Sequence, residues 1–122
     1  ATAETFNKRG KTDILLRYEK GNVFVGECKF WSGKKALLDA YTQLLSYLTW
    51  RDSKACVVLF VRNKDFTAVL DTVREVTPTF QEFVRSVQEK EDSWFEYRFH
   101  LPGDPAREVW LTVLCFHLPP PT

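Results

Sequence analysis

Short apolar runs alternate with polar punctuation along the chain, and the period of the apolar positions changes from segment to segment. Residues 12–18 are aliphatic and aromatic apart from Asp13 and Arg17, and residues 23–31 are apolar apart from Glu27 and Lys29. Two such runs around Glu19-Lys20-Gly21 predict a β-hairpin with a three-residue loop, its glycine at the left-handed position. From residue 34 to about 50 the period becomes helical: Leu37, Leu38, Leu44, Leu45 and Leu48 form one stripe, and Ser32 is the expected N-cap. A second row, including Ala36, Ala40, Gln43 and Tyr47, runs beside that stripe. Residues 55–61, ACVVLFV, form a continuous apolar run expected to be a strand buried on both faces. Strand, helix and strand in succession then set residues 55–61 parallel to residues 23–31.

Later segments are read in the same way. Asp65 should cap a helix over Phe66–Val76, and Pro78 should open another reaching Lys90. Those helices are expected to cover one side of the sheet. Trp94–Leu101 and residues 109–118 predict two strands joined by residues 102–107, a closing hairpin that extends the sheet or forms a homodimer surface. A short strand around Glu4–Phe6 should pair with residues 12–18, and residues 119–122 make a proline-rich tail.

The charged residues inside the apolar hairpin change the picture. With a three-residue loop, Tyr18 faces Asn22 and Asp13 falls opposite Glu27. Residues directly opposite share a face, and Lys29, two positions on, shares it too. Two carboxylates about 5 Å apart repel unless a cation lies between them or one takes up a proton. A hard ion such as Mg²⁺ suits oxygen ligands, and an ammonium beside it can stabilise a phosphate or a developing oxyanion. A surface hairpin with a cross-strand ion pair would also hold these charges, but the flanking residues are too apolar for an exposed ribbon. A second acid-x-Lys triplet, Asp52-Ser53-Lys54, lies in a polar connection and reads as a solvated turn.

Gly10-Lys11-Thr12-Asp13-Ile14-Leu15, followed a hairpin later by Gly26-Glu27-Cys28-Lys29-Phe30-Trp31, resembles the PD-(D/E)XK nuclease superfamily, in particular restriction-endonuclease-like domains of bacterial proteins. The resemblance implies an α/β fold with a mixed sheet flanked by helices, and a metal held by Asp13, Glu27 and the backbone carbonyl of Cys28. It also implies that Lys29 orients the attacking water and stabilises the transition state, and that Gln43 on the following helix faces the metal. Thr12 stands where the superfamily's name has proline. The superfamily core opens with a helix that often adds an acidic ligand, and residues 1–9 leave no room for one. The implied activity is Mg²⁺-dependent (or Mn²⁺-dependent) endonucleolytic hydrolysis of DNA phosphodiester bonds. A nuclease-fold module that binds nucleic acid or regulates without cutting, and a nuclease acting on RNA, are the alternatives.

Composition sets bounds. The 122 residues make one domain, and 44% hydrophobic with 27% charged residues exclude disordered and collagen-like classes. A net charge of +1 means that any DNA surface must come from local segregation of cations; Lys11, Lys34, Lys35, Arg62 and Lys64 are the candidates. Plain solvated lysines and polar turns would account for these positions as well. The absence of methionine suggests a domain cut from a longer protein, whose other part would supply a sensing or DNA-binding partner. No apolar run is long enough to span a membrane, so a cytoplasmic location is expected. Cys28, Cys56 and Cys115 fall in apolar strands and should be buried, reduced thiols. His100 and His117 lack partners at zinc-ligand spacing. Trp94, Phe95, Tyr97, Phe99 and Trp110, interleaved with Arg98, read as core or subunit interface, with base stacking as the alternative.

Overall fold

The computed structural model describes the backbone of residues 2–8, 11–18, 24–50 and 52–118, and the side chains of residues 25–50 and 52–118. The elements run β1 (Thr2–Lys8), β2 (Lys11–Tyr18), β3 (Phe24–Phe30), α1 (Lys34–Tyr47), β4 (Lys54–Val61), α2 (Phe66–Val76), β5 (Phe83–Lys90), β6 (Trp94–Leu101) and β7 (Asp104–His117). The strands form a single seven-stranded mixed sheet in the order β1-β2-β3-β4-β7-β6-β5. β3, β4 and β7 are parallel, and the remaining neighbours are antiparallel. This is the α/β class expected, with the closing hairpin extending the sheet.

Alternation along the strands decides where the core lies. Val25, Ala55, Val57, Leu59, Phe95, Tyr97, Phe99, Leu111 and Val113 are buried and belong to one cluster with Leu37, Ala40, Tyr41 and Leu44 of α1 and Leu70 and Val73 of α2. Both helices lie on that face and touch each other. The buried hydroxyl of Tyr41 and Thr77 Oγ1 are 2.6 Å apart, which ties α1 to the 3-10 turn Thr77–Thr79. The ring of Tyr41 packs on Phe80 and Phe99 at 5.3 and 5.0 Å between centroids. The even-numbered residues of β3, β4, β6 and β7 face the other way. There Cys56 is buried, but Val58 and Phe60 are only partly so, which corrects the expectation that residues 55–61 are buried on both faces.

Several local expectations are corrected. The loop Glu19-Lys20-Gly21 lies outside the described residues, but the register around it does not: Tyr18 pairs with Phe24 and Leu15 with Glu27. Five residues rather than three connect the strands. Gly33, not Ser32, caps α1; its φ of 115° suits glycine, and its carbonyl accepts from the Leu37 N–H at 3.4 Å. α1 stops at Tyr47, with Trp50 beyond it and exposed.

Pro78 opens no helix. It sits in the 3-10 turn, after which the chain becomes β5. Phe80, Phe83, Val84 and Val87 imitate helical spacing because the β5–β6 ladder shifts register between Phe83 and Arg85 and again between Ser86 and Gln88. Two extra residues break the strand's period of two. The polar stretch before Trp94 is the hairpin turn, with Glu91 at φ 59°. The other turn is shorter than residues 102–107, since β7 already begins at Asp104. Asp65 caps α2 as expected, its Oδ1 accepting from the Ala68 N–H at 2.9 Å. Among the described residues no helix is long and apolar enough to cross a membrane.

Candidate functional site

β3 carries two of the candidate residues, Glu27 and Lys29. Val25 anchors its helix-facing side in the core, so alternation puts Glu27 and Lys29 on that same side. Glu27 is fully enclosed, level with Val57 of β4 and Leu15 of β2, while Lys29 is half-buried and level with Leu59. Enclosing an ionised carboxylate is costly unless a cation or donors compensate. Its charge reaches Cys28, whose thiol is pushed above its ordinary value first by burial and then by Glu27.

Asp13 does not stand opposite Glu27. The observed register differs from the expected one by two residues, so position 13 moves two residues toward the carboxyl end of β3, to the level of Lys29. An even shift preserves the face. Positions 13, 27 and 29 therefore share one side of the sheet, with the acids diagonal rather than opposed. Pairing between β2 and β3 runs from Tyr18–Phe24 to Ile14–Cys28, while Asp13 continues to pair with Phe6 of β1. The ladder thus ends beside the level at which Asp13 and Lys29 lie. The side chains of Asp13 and Lys11 are outside the described residues.

α1 crosses over this face and touches β3. Its Gln43 is half-buried, and Gln43 Oε1 is buried with no hydrogen-bond partner among the described residues. A buried amide oxygen left so costs about 1–3 kcal/mol, which a ligand or a water at the site would recover.

The basic candidates do not form one patch. Lys34 and Lys35 are exposed in the first turn of α1, where they oppose the helix dipole. Lys64 is exposed beyond β4, and a shallow pocket between the starts of α1 and α2 is lined by Lys34, Trp31 and Asn63 but also by Asp65. Arg62 lies 4.4 Å above the ring of Phe30, a residue of the opposite face.

The remaining candidates sort into structural roles. Asp52 is no solvated turn: it is 4% exposed, and its Oδ2 accepts from the Thr49 N–H at 2.7 Å, closing the turn after α1. His117 Nε2 lies 2.7 Å from the Asn63 carbonyl, and His100 Nδ1 lies 2.9 Å from the Leu101 carbonyl. All three cysteines are free thiols. Burial pushes Cys56 and Cys115 up to about 12, which removes them as nucleophiles near neutral pH. Phe95, Tyr97 and Phe99 are core. Among the described residues no group of three or more His, Cys, Asp or Glu is placed to hold a metal, so a three-ligand site needs Asp13 or a backbone oxygen. What sequence reasoning missed is the organisation of the open face, although the even positions of β4, β6 and β7 carried that signal.

No family model matches the chain, and no curated protein or solved structure matches it.

Proposed function

We propose that the chain is a metal-dependent nuclease of restriction-endonuclease-like fold that hydrolyses DNA phosphodiester bonds at Asp13, Glu27 and Lys29. The observation that carries this reading is the shared face of positions 13, 27 and 29 on the side of the sheet where α1 packs on β3, at the end of the β2–β3 ladder. Asp13, Glu27 and the Cys28 carbonyl would hold Mg²⁺ or Mn²⁺; this all-oxygen donor set suits a hard cation, and the unpartnered Gln43 Oε1 adds a candidate contact. A bound ion there supplies Lewis acidity and a more acidic coordinated water. The chain's own groups do the rest. The Lys29 ammonium offsets the negative charge that builds on the phosphate oxygens, and the Gln43 amide orients the nucleophile. Because β3 and β4 are hydrogen-bonded neighbours, Lys29 is held on a central strand and is positioned before substrate arrives.

One observation favours a second reading, a nuclease-fold module that binds or regulates without cutting. Glu27 is fully enclosed, and an acid that must meet both metal and phosphate needs a path to solvent. Incubation of supercoiled, linear and single-stranded DNA, and of RNA, with Mg²⁺, Mn²⁺ or EDTA decides between them. The nuclease reading expects divalent-ion-dependent cleavage that Glu27→Gln and Lys29→Ala abolish. Full activity in either variant would end the assignment. Calorimetry showing no divalent-ion affinity, together with no cleavage, would leave the scaffold reading.

A further inference from the structure

The face of the sheet turned away from α1 and α2 is uncovered by any described helix, and register organises it into rows. Phe30, Phe60 and Phe116 are level with one another across β3, β4 and β7. Neighbouring ring centroids are 5.5 and 6.2 Å apart, and the two outer rings are 50% and 48% exposed. Six residues back along β4, roughly 20 Å at a strand's rise per residue, Lys54, Trp110, Arg98 and Arg85 form a second row across β4, β7, β6 and β5. Between the rows Trp94 is exposed at the level of Leu114.

Cations sit on this face's rings. Arg62 lies 4.4 Å from the centroid of Phe30, Lys90 5.4 Å from that of Trp94 and Arg98 5.5 Å from that of Trp110. Against Lys54, Arg62, Arg85, Lys90 and Arg98 stand Glu96 and Glu108, both already ion-paired to those cations, while Asp104 at the start of β7 is paired with Arg107. A chain with a net charge of +1 thus concentrates a surplus of three positive charges on one aromatic face.

From this juxtaposition we infer that the open face binds a single-stranded nucleic acid, its bases stacking on the phenylalanine row and Trp94 and its phosphates meeting the surrounding Lys and Arg. Bases stack on aromatic rings and on guanidinium planes alike, and a sheet backed by helices presents several such surfaces to one strand. A duplex keeps its base faces inside its own stack and offers none to the rings. A second copy of this chain would set like charges against like. An acidic amphipathic peptide would satisfy the cations, but it brings a planar ring only where it carries an aromatic residue, whereas every nucleotide of a strand brings one. The inference does not depend on cleavage at Glu27 and Lys29, which occupy the other side of the sheet.

Fluorescence anisotropy with labelled oligothymidine and oligouridine of about twelve nucleotides, a length within the range such platforms cover, tests it in EDTA, where cleavage cannot intrude. Wild type should bind the single strands and be displaced poorly by duplex DNA. Phe30→Ala and Phe116→Ala should each weaken binding about five- to tenfold. Arg62→Gln, which alters only an exposed side chain and leaves the core intact, should weaken binding and flatten its salt dependence. Glu75→Gln, an exposed position on α2, should bind as wild type does; because the assay runs in EDTA, a failed nuclease reading leaves this result readable. Equal affinity for duplex and single strand, or unchanged binding in Phe116→Ala and Arg62→Gln with wild-type thermal melting, would overturn the inference. So would variants that change the sedimentation coefficient rather than oligonucleotide affinity, since the face would then belong to a second copy.

Discussion

The two faces of one sheet are built from alternate residues of the same strands, yet they solve different problems. On the covered face Val57, Leu59, Phe99 and Leu111 are wholly buried beneath α1 and α2, and Glu27 is enclosed on the same face. On the open face Phe30, Trp94 and Phe116 keep a third to a half of their surface in water, and cations rather than helices lie over the rings. A charge on the covered face is costly unless a partner compensates it, so a single buried acid such as Glu27 is informative on its own. Charges on the open face are cheap and are informative only collectively, through their excess of one sign.

The largest expected effect separates the faces by activity. Glu27→Gln or Lys29→Ala should lower Mg²⁺-dependent cleavage at least about a hundredfold, as loss of a transition-state contact does, while Phe116→Ala should leave cleavage of short duplex DNA within a few-fold, measured by single-turnover kinetics. Loss in both variants alike would erase the distinction. Next comes stability. Phe99→Ala should cost about 3–5 kcal/mol in urea unfolding, because Phe99 is fully buried against Tyr41, Phe80, Phe83 and Tyr97. Trp94→Ala should cost about 1 kcal/mol or less, its ring being exposed and its Lys90 contact weak.

Alkaline pH sharpens the comparison further. Burial raises Cys115 on the covered face and Cys56 on the open one to about 12. A raised thiol pKa means that the folded chain holds its proton longer than the unfolded chain does. Stability is therefore full below the ordinary thiol range and falls as pH climbs from that range toward 12. Cys56→Ala should flatten that fall, read from urea midpoints taken at rising pH. The smallest effect belongs to an element end: Asp65→Ala should cost about 1 kcal/mol by removing the cap of α2.

Much of the covered face was legible in the sequence, because its signals are local. Leu37, Leu44 and Leu45 repeat at helical spacing, the ACVVLFV run has a strand's length, and Asp65 precedes a periodic segment. The site was legible only as far as parity. Asp13, Glu27 and Lys29 share a face under either register, but which residues are opposed depends on a loop whose length local turn rules misjudged. Residues 83–90 misled because two register shifts disguise a strand as a helix. Asp52 misled because its burial depends on the turn it closes, a contact that composition does not encode. Of the open face only Trp94, Arg98 and Trp110 were noticed, because its rows run across three and four strands and no window along the chain contains a row.

The proposal on which the account turns is that Glu27 and Asp13 together hold a divalent cation. Anomalous diffraction from crystals soaked in Mn²⁺ tests it most directly. The account predicts a peak at bonding distance from carboxylate oxygens of both Asp13 and Glu27 in the wild type and none in Glu27→Gln; a well-ordered wild-type crystal with no peak there, or with Asp13 and Glu27 directed to opposite sides of the sheet, would contradict it.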